Sequence, residues 1–395
     1  MSARDLPLAG LLVADFSRIL AGPLCTQLLA DAGARVIKVE EPGRGDETRR
    51  WGPPFVDGVS AYFLSINRNK ESLTLGLKSD EGRALAARLM TRADVVVDNF
   101  LPAQKRALRF PDPRAINERV VHCSIRGYDA DSDDADLPGY DLLAQAGSGL
   151  MAITGEPDGE PMKVGVALAD VLTAHHAFGG IMTALFARER NGRGARVDIS
   201  LFSAAIASLV NVAQSALLTG RDAARHGNQH PSIVPYQLFH GADRPFAVGV
   251  GTDRHFQQLC ERVLERPELA SDPRFATNAA RVAQRDVVHR QLEALFAARS
   301  ASEWVARCRA AGIPASVVQG VGEALRSSAG SVLLATIDHP VIGAYELVRN
   351  PLQFDGERLP VRSAPPELGA NSDAILRELG CDDAAIESLR RRGVV

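Results

Sequence analysis

The sequence predicts an α/β protein with a parallel sheet, joined to a smaller α+β region. Three observations carry that expectation. The first forty residues alternate short apolar runs with an apolar-periodic stretch, reading strand–helix–strand with a right-handed crossover. The same alternation recurs up to about Ile199. Near Gly220 the composition turns polar, and Arg221–Ile233 reads as a linker to a second unit. A chain of 395 residues favours two domains over one.

Leu11–Phe16 (LLVADF) suits a buried parallel strand; Gly22-Pro23 opens a helix that Gly33 closes; Val36–Val39 is the next strand. The intervening loop, SRILAGP, matches neither GxGxxG nor a Walker loop, so no dinucleotide or nucleoside triphosphate site is signalled. Glu40–Pro54 is a long Gly/Pro-rich loop carrying Arg44, Arg49 and Arg50, and loops of that length are uncommon without a function. A second basic loop, Asn67–Lys70, precedes the strand-like SLTLGL. Helix Glu81–Ala93 and strands Val95–Asp98 and Val120–Ile125 follow, then helices Asp141–Met151 and Asp170–Arg190 and strand Ala195–Ile199. Leu201–Leu218 is apolar around most of its circumference and reads as one buried helix, in the core or against a partner subunit. Beyond the linker, strands Tyr236–Phe239, Phe246–Val250 and Pro314–Val318 combine with helices Asp253–Leu264, Asn278–Ala298 and Ser302–Ala311. Short strands (Thr336–His339, Glu346–Val348) and helices Ser372–Leu379 and Asp382–Arg391 close the chain.

Hydrophobic and charged contents of 46% and 24% are those of an ordinary globular protein. A net charge of −3 gives no reason to expect nucleic acid or an anionic membrane as partner. The five cysteines are dispersed without a CxxC pair, which fits reduced thiols rather than a disulfide frame or a metal site. Without a signal-like apolar segment or a run near 18 apolar residues, the expectation is a cytoplasmic protein.

Ligands of open α/β sheets collect at the carboxyl ends of strands. Arg18, Asn99 and Arg126 follow such ends, with Arg49, Arg50, Arg68 and Lys70 nearby in sequence. Singly these are solvated surface groups; together they form a rim suited to phosphate. Asp170 follows the small, apolar VGVALA at the start of a helical pattern. An aspartate there is stabilised as the anion and, in the simplest reading, caps the helix.

Taken together, DFSRILAGP (Asp15–Pro23), GARVIKVE (Gly33–Glu40), GDETR (Gly45–Arg49), NRNKESL (Asn67–Leu73), ADVVVDNF (Ala93–Phe100), SIRGY (Ser124–Tyr128), PGYDLLAQAGSGL (Pro138–Leu150), LAD (Leu168–Asp170) and NGRGARVD (Asn191–Asp198) resemble the class III coenzyme A transferases and their acyl-CoA racemase relatives. The resemblance spans nearly the whole chain. It implies a Rossmann-like large domain formed by both chain ends (1–220 and 323–395), a smaller inserted α+β domain with its linker (221–322), and an interlocked homodimer. It implies that Asp170 is the nucleophile and that coenzyme A, as acyl-CoA, is the bound substrate, with no metal. It places CoA contacts at Arg18, Leu20, Ala21, Leu75, Lys78, Asn99, Phe100, Leu101, Lys105, Arg106, Arg126, Gly127 and Tyr128. One position departs from the pattern: where the family carries an arginine after the glutamate of the second strand, this chain has Glu41, and Arg44 or Arg49 is the candidate substitute.

Moving CoA between carboxylic acids calls for a carboxylate that forms an anhydride and then a thioester, in a water-poor pocket. Asp170 fits that role. Gly249 and Gly251, in the GVGT segment of the smaller domain, are candidate oxyanion donors; Tyr140 and the pair Arg49 and Arg50, with Arg68, are candidates for the acceptor. Succinyl-CoA as donor and a dicarboxylate such as itaconate or mesaconate as acceptor are the expectation. A racemase needs an acid and a base on opposite faces of the α-carbon, and Tyr140 stands where racemase relatives carry histidine. His175 and His176, five and six positions after Asp170, do not share its helix face. A non-catalytic CoA-binding protein is the other alternative, against which the extra carboxylate argues.

Overall fold

The computed structural model describes residues 5–395. The chain divides into two compact units, one comprising the chain up to Met151, Lys163–Arg221 and Gly330–Val395, the other Ala152–Met162 and Asp222–Ala329.

The first unit is built on six parallel strands: β1 (Leu12–Asp15), β2 (Arg35–Glu40), β3 (Lys70–Thr74), β4 (Val95–Asp98), β5 (Val121–Arg126) and β6 (Arg196–Ser200). Their order across the sheet is β3-β2-β1-β4-β5-β6. The order reverses between β1 and β4, so their outgoing loops diverge and leave a crevice there. The helices of this unit that bear on the site are α1 (Ala21–Asp31), α2 (Asp80–Arg92), α3 (Pro102–Leu108), α4 (Asp141–Gly147), α5 (Leu168–Asn191), α6 (Leu201–Ala207) and α7 (Val210–Thr219).

Alternate strand residues serve opposite faces of the sheet. Val13, Val36, Val95 and Val97 pack with α1 and α5 in one core. Ala14, Ile37 and Val96 pack with α2 and with Ile375, Leu376, Ile386 and Leu389 of the two last helices in the other. Continuous apolar runs such as VVV at Val95–Val97 therefore reflect burial on both sides.

Two expectations are corrected. Leu201–Leu218 is not one buried helix: α6 and α7 meet at 77°. The Ser208 hydroxyl donates back to the Ala204 carbonyl at 2.7 Å, and Val210 takes a left-handed φ of 40°, so the helix cannot run on. No residue of α7 is buried in this chain, and Leu217 is 81% exposed. The helix α3 was not foreseen. Pro102 stands at its first position, where the missing N–H costs nothing, and the Gln104 side chain accepts the Leu101 N–H at 3.0 Å.

The second unit has a three-stranded antiparallel sheet (Tyr236–His240, Pro245–Gly249, Ala315–Val317) over a core that includes Phe239, Phe246, Phe296 and Trp304. The expected helix Asn278–Ala298 is two, Asn278–Ala283 and Arg285–Phe296, broken at Gln284. Ala152–Met162 joins this unit because Arg225 donates to the carbonyls of Ala152, Glu156 and Gly159. Among the described residues no single helix is long and apolar enough to cross a membrane.

Candidate active site

The loop after β1 is shaped by a buried polar network. Asp15, fully buried, accepts from the Ser17 backbone and from Lys70 Nζ at 3.0 and 3.2 Å, and from the Ser17 and Thr26 hydroxyls at 2.5 Å each. Lys38 Nζ, equally buried, reaches the Ser17 carbonyl at 2.9 Å and Asp46 Oδ2 at 2.8 Å. Burial alone would raise the Asp15 and Asp46 pKa values; the neighbouring ammonium groups more than offset it, and Asp46 falls to about 2. Asn99 clasps Arg18 from the other side of the crevice, accepting its N–H at 3.0 Å and donating to its carbonyl at 2.8 Å. Between these anchors Ile19 sits at φ 73°, a strained conformation for a β-branched residue, with its N–H given to Asp46. Gly22 is required because a Cβ there would lie 2.2 Å from Ser17 Cβ.

This loop delivers the N-terminus of α1 to Asp170. Asp170 lies in the first turn of α5, whose N-cap is Ala167; the N-cap of α1 is Leu20, and neither offers a side-chain cap. Where a doubly wound fold holds a phosphate at the first helix, the Ala21 N–H here interacts with the Asp170 carboxylate. Burial and the nearby Asp141 nonetheless raise Asp170 to about 7, with the Ala21 N–H pulling the other way. The expected stabilisation of the anion by a helix start is present in the Ala21 N–H, but desolvation and a like charge outweigh it.

Asp141 and Gln145 escaped the sequence reading. Asp141 accepts the Ala169 N–H at 2.8 Å and the Gln145 amide at 2.7 Å, while Gln145 accepts the Val164 N–H at 2.9 Å. They fix the entry to α5 from α4, at i and i+4, a spacing that was the available signal. The approach of α4 needs glycines: a Cβ on Gly139 would lie 2.1 Å from Gly127 Cα. Tyr62 is a further neighbour; burial and the charges of Asp170, Asp141 and Asp46 push its phenol to about 12, and its ring lies edge-on to Trp51 at 5.1 Å.

Arg18, Leu75, Lys78 and Phe100 line one cavity of about 510 Å³ beyond the carboxyl ends of β1–β4. Arg18 pairs with Glu47 at 2.7 Å and leaves its Nε buried without a partner. Leu20 and Ala21 lie buried beside Asp170's helix, and Leu101 and exposed Arg106 are on α3's N-cap and last turn. Lys105 is committed elsewhere, to Asp98 at 2.8 Å and Ser124 at 3.1 Å, alongside His122. Arg126 has a buried, unpartnered Nε, Gly127 backs onto Gly139, and Tyr128 packs on Phe202 at 5.6 Å. The expected acceptor cations are redirected: Arg49 binds Glu40 through two nitrogens and stacks on Phe63 at 3.8 Å, and Arg68 grips Asp31 at 2.6 and 2.9 Å. Buried carboxylates claim them. Arg50 is exposed and donates to the Arg44 carbonyl, and Tyr140 is 56% exposed at the N-cap of α4. Gly249 and Gly251 belong to the second unit, at the end of its middle strand and in the following turn. Among the described residues no group of three His, Cys, Asp or Glu side chains is placed to hold a metal.

Residues 8–372 match the model of CoA-transferase family III. The chain is 37% identical over 394 residues to the succinyl-CoA:glutarate CoA-transferase of Mus musculus, covering 98% of this chain and 90% of that one. It is 38% identical over 392 residues to the succinate–glutarate CoA-transferase of Agrobacterium fabrum, covering 96% and 97%. A crystal structure of a CAIB/BAIF family protein from Brucella suis superposes with a TM-score of 0.84 at 38% identity, over 94% of this chain and 99% of that one.

Proposed function

The chain belongs to CoA-transferase family III, and from that membership we propose that it moves CoA from succinyl-CoA to a small dicarboxylate such as glutarate, with Asp170 as covalent nucleophile. The observation that carries the assignment is Asp170 itself, partly buried in the first turn of α5 beside the start of α1 and close to Asp141, with its pKa raised to about 7. Such a carboxylate is more basic than an exposed one, hence a better nucleophile, and is still available at neutral pH.

Asp170 attacks the thioester carbonyl and expels CoA thiolate, leaving an aspartyl–succinyl anhydride. The thiolate attacks the aspartyl carbonyl, forming an aspartyl-CoA thioester and releasing succinate. The acceptor carboxylate displaces thiolate in turn, and the thiolate attacks the acceptor carbonyl of the second anhydride, giving acceptor-CoA and free Asp170. The Ala21 N–H at the start of α1, which interacts with the Asp170 carboxylate, is the donor that would take oxyanion charge developing on the aspartyl group. Asp141 and Gln145 hold the carboxylate's helix in place.

The measurement is mass spectrometry of the acyl-CoA pool after incubation with succinyl-CoA and a panel of carboxylic acids in heavy water. New thioesters of dicarboxylates without α-deuterium are expected. Transfer only to monocarboxylic or zwitterionic acids would reject the acceptor class, and α-deuterium without acyl exchange would make the protein a racemase.

A homodimer belongs to the same proposal. Val210, Leu217 and Leu218, all exposed on α7, none of whose residues is buried in this chain, support it, since an apolar helix left exposed marks a surface that pairs. Light scattering should give twice the 42.3 kDa chain mass; a monomer mass would reject pairing.

A further inference from the structure

We propose that the segment Arg392–Val394 walls the nucleoside end of the CoA cavity and that Arg392, with Lys78, binds the ribose 3′-phosphate of CoA. The inference rests on the CoA transfer proposed above.

The cavity of about 510 Å³ runs from Arg18, at the exit of β1, to Lys78 and Arg392, beyond the exit of the edge strand β3. Two strand spacings of about 4.8 Å separate those exits, roughly 10 Å. Asp170 lies at the β1 end through Ala21, so the thioester arm must pass Arg18 and the far end is left for the nucleoside. Its walls there are apolar, from Val39, Leu75, Leu108 and Val394. The Val394 carbonyl accepts the Gly76 N–H at 2.7 Å, which pins this late segment to the turn after β3.

The charges at that end are unsaturated. Arg392 gives one nitrogen to Glu81 at 2.5 Å and Nε to the Ser388 carbonyl at 3.3 Å. A guanidinium has five N–H donors, so three remain. Lys78 pairs with Glu41 at 3.2 Å, both side chains being largely exposed (81% and 47%). An exposed pair of this kind is worth at most about 1 kcal/mol, and a phosphate dianion competes for the ammonium readily. The first turn of α2 is no rival phosphate site, because Asp80 and Glu81 occupy it.

The test is equilibrium binding of CoA and of dephospho-CoA, which lacks only the 3′-phosphate, to wild type, Arg392→Ala, Arg392→Lys and Lys78→Ala. Arg392→Ala should weaken CoA about tenfold and leave dephospho-CoA unchanged. Arg392→Lys should recover part of the loss, and kcat at saturating donor should hold. Equal CoA binding by wild type and Arg392→Ala, or equal weakening of both ligands, overturns the inference. Failure of wild type to bind CoA at all would instead remove the proposed function beneath it.

Discussion

Asp170→Asn should abolish CoA transfer, by about four orders of magnitude or more, and should stabilise the protein at alkaline pH. The first effect follows from loss of the group proposed to form both covalent intermediates. The second follows from linkage. Unfolded, the carboxyl titrates near 3.9; folded, burial and Asp141 hold it near 7. Between these values the native state binds a proton that the unfolded state does not, so stability falls as pH rises through the window and the penalty is complete above pH 7. Asparagine carries no charge to desolvate. The variant should therefore be more stable than wild type by roughly 2–4 kcal/mol at pH 8, with the difference shrinking toward pH 4. Wild-type kcat/KM should rise with pH through about 7. Denaturant unfolding at several pH values, beside the transfer assay, checks both. An inactive variant no more stable than wild type at pH 8 would mean that Asp170 is ionised at little cost, and a variant with residual transfer above one part in a hundred would displace it as nucleophile.

The second large effect is expected far from the reacting carboxylate. Asp15→Ala should lower unfolding stability by about 3–5 kcal/mol, because it strands Lys70 in the interior beside Lys38. The loss should also reach function, since Asp15 holds Ser17 and the loop that presents Ala21 to Asp170. The double variant Asp15→Ala/Lys70→Met removes both charges and should recover part of the stability while leaving CoA binding weak. A loss below 1 kcal/mol for Asp15→Ala, or full additivity in the double variant, would show that the pair is not energetically coupled.

Much of the sheet was legible because a doubly buried strand must be continuously apolar: Val95–Val97 and the Leu11–Phe16 run have no other stable place. Asp170 was legible as a lone carboxylate in an apolar approach to a helix. Arg49 and Arg68 were read as ligand groups because sequence shows a cation but not its partner. Glu40 and Asp31 come to them only through the fold. The same holds for Glu41, whose opposition to Lys78 needs β2 and β3 side by side.

The sequence by itself determined the α/β class and the family blocks, since each rests on local pattern: apolar runs, periodicity and short motifs. Asp170 entered as the proposed nucleophile through those blocks, its own neighbours reading as a helix start. The tertiary structure alone decided the burial of Asp170 beside Asp141, the fate of the arginines, the bend between α6 and α7, and the meeting of Val394 with the turn after β3. The physical reason is common to them. Burial and charge neighbourhood are properties of distant segments brought together, and a residue's energy in a low-dielectric interior is set by those segments rather than by its own place in the chain.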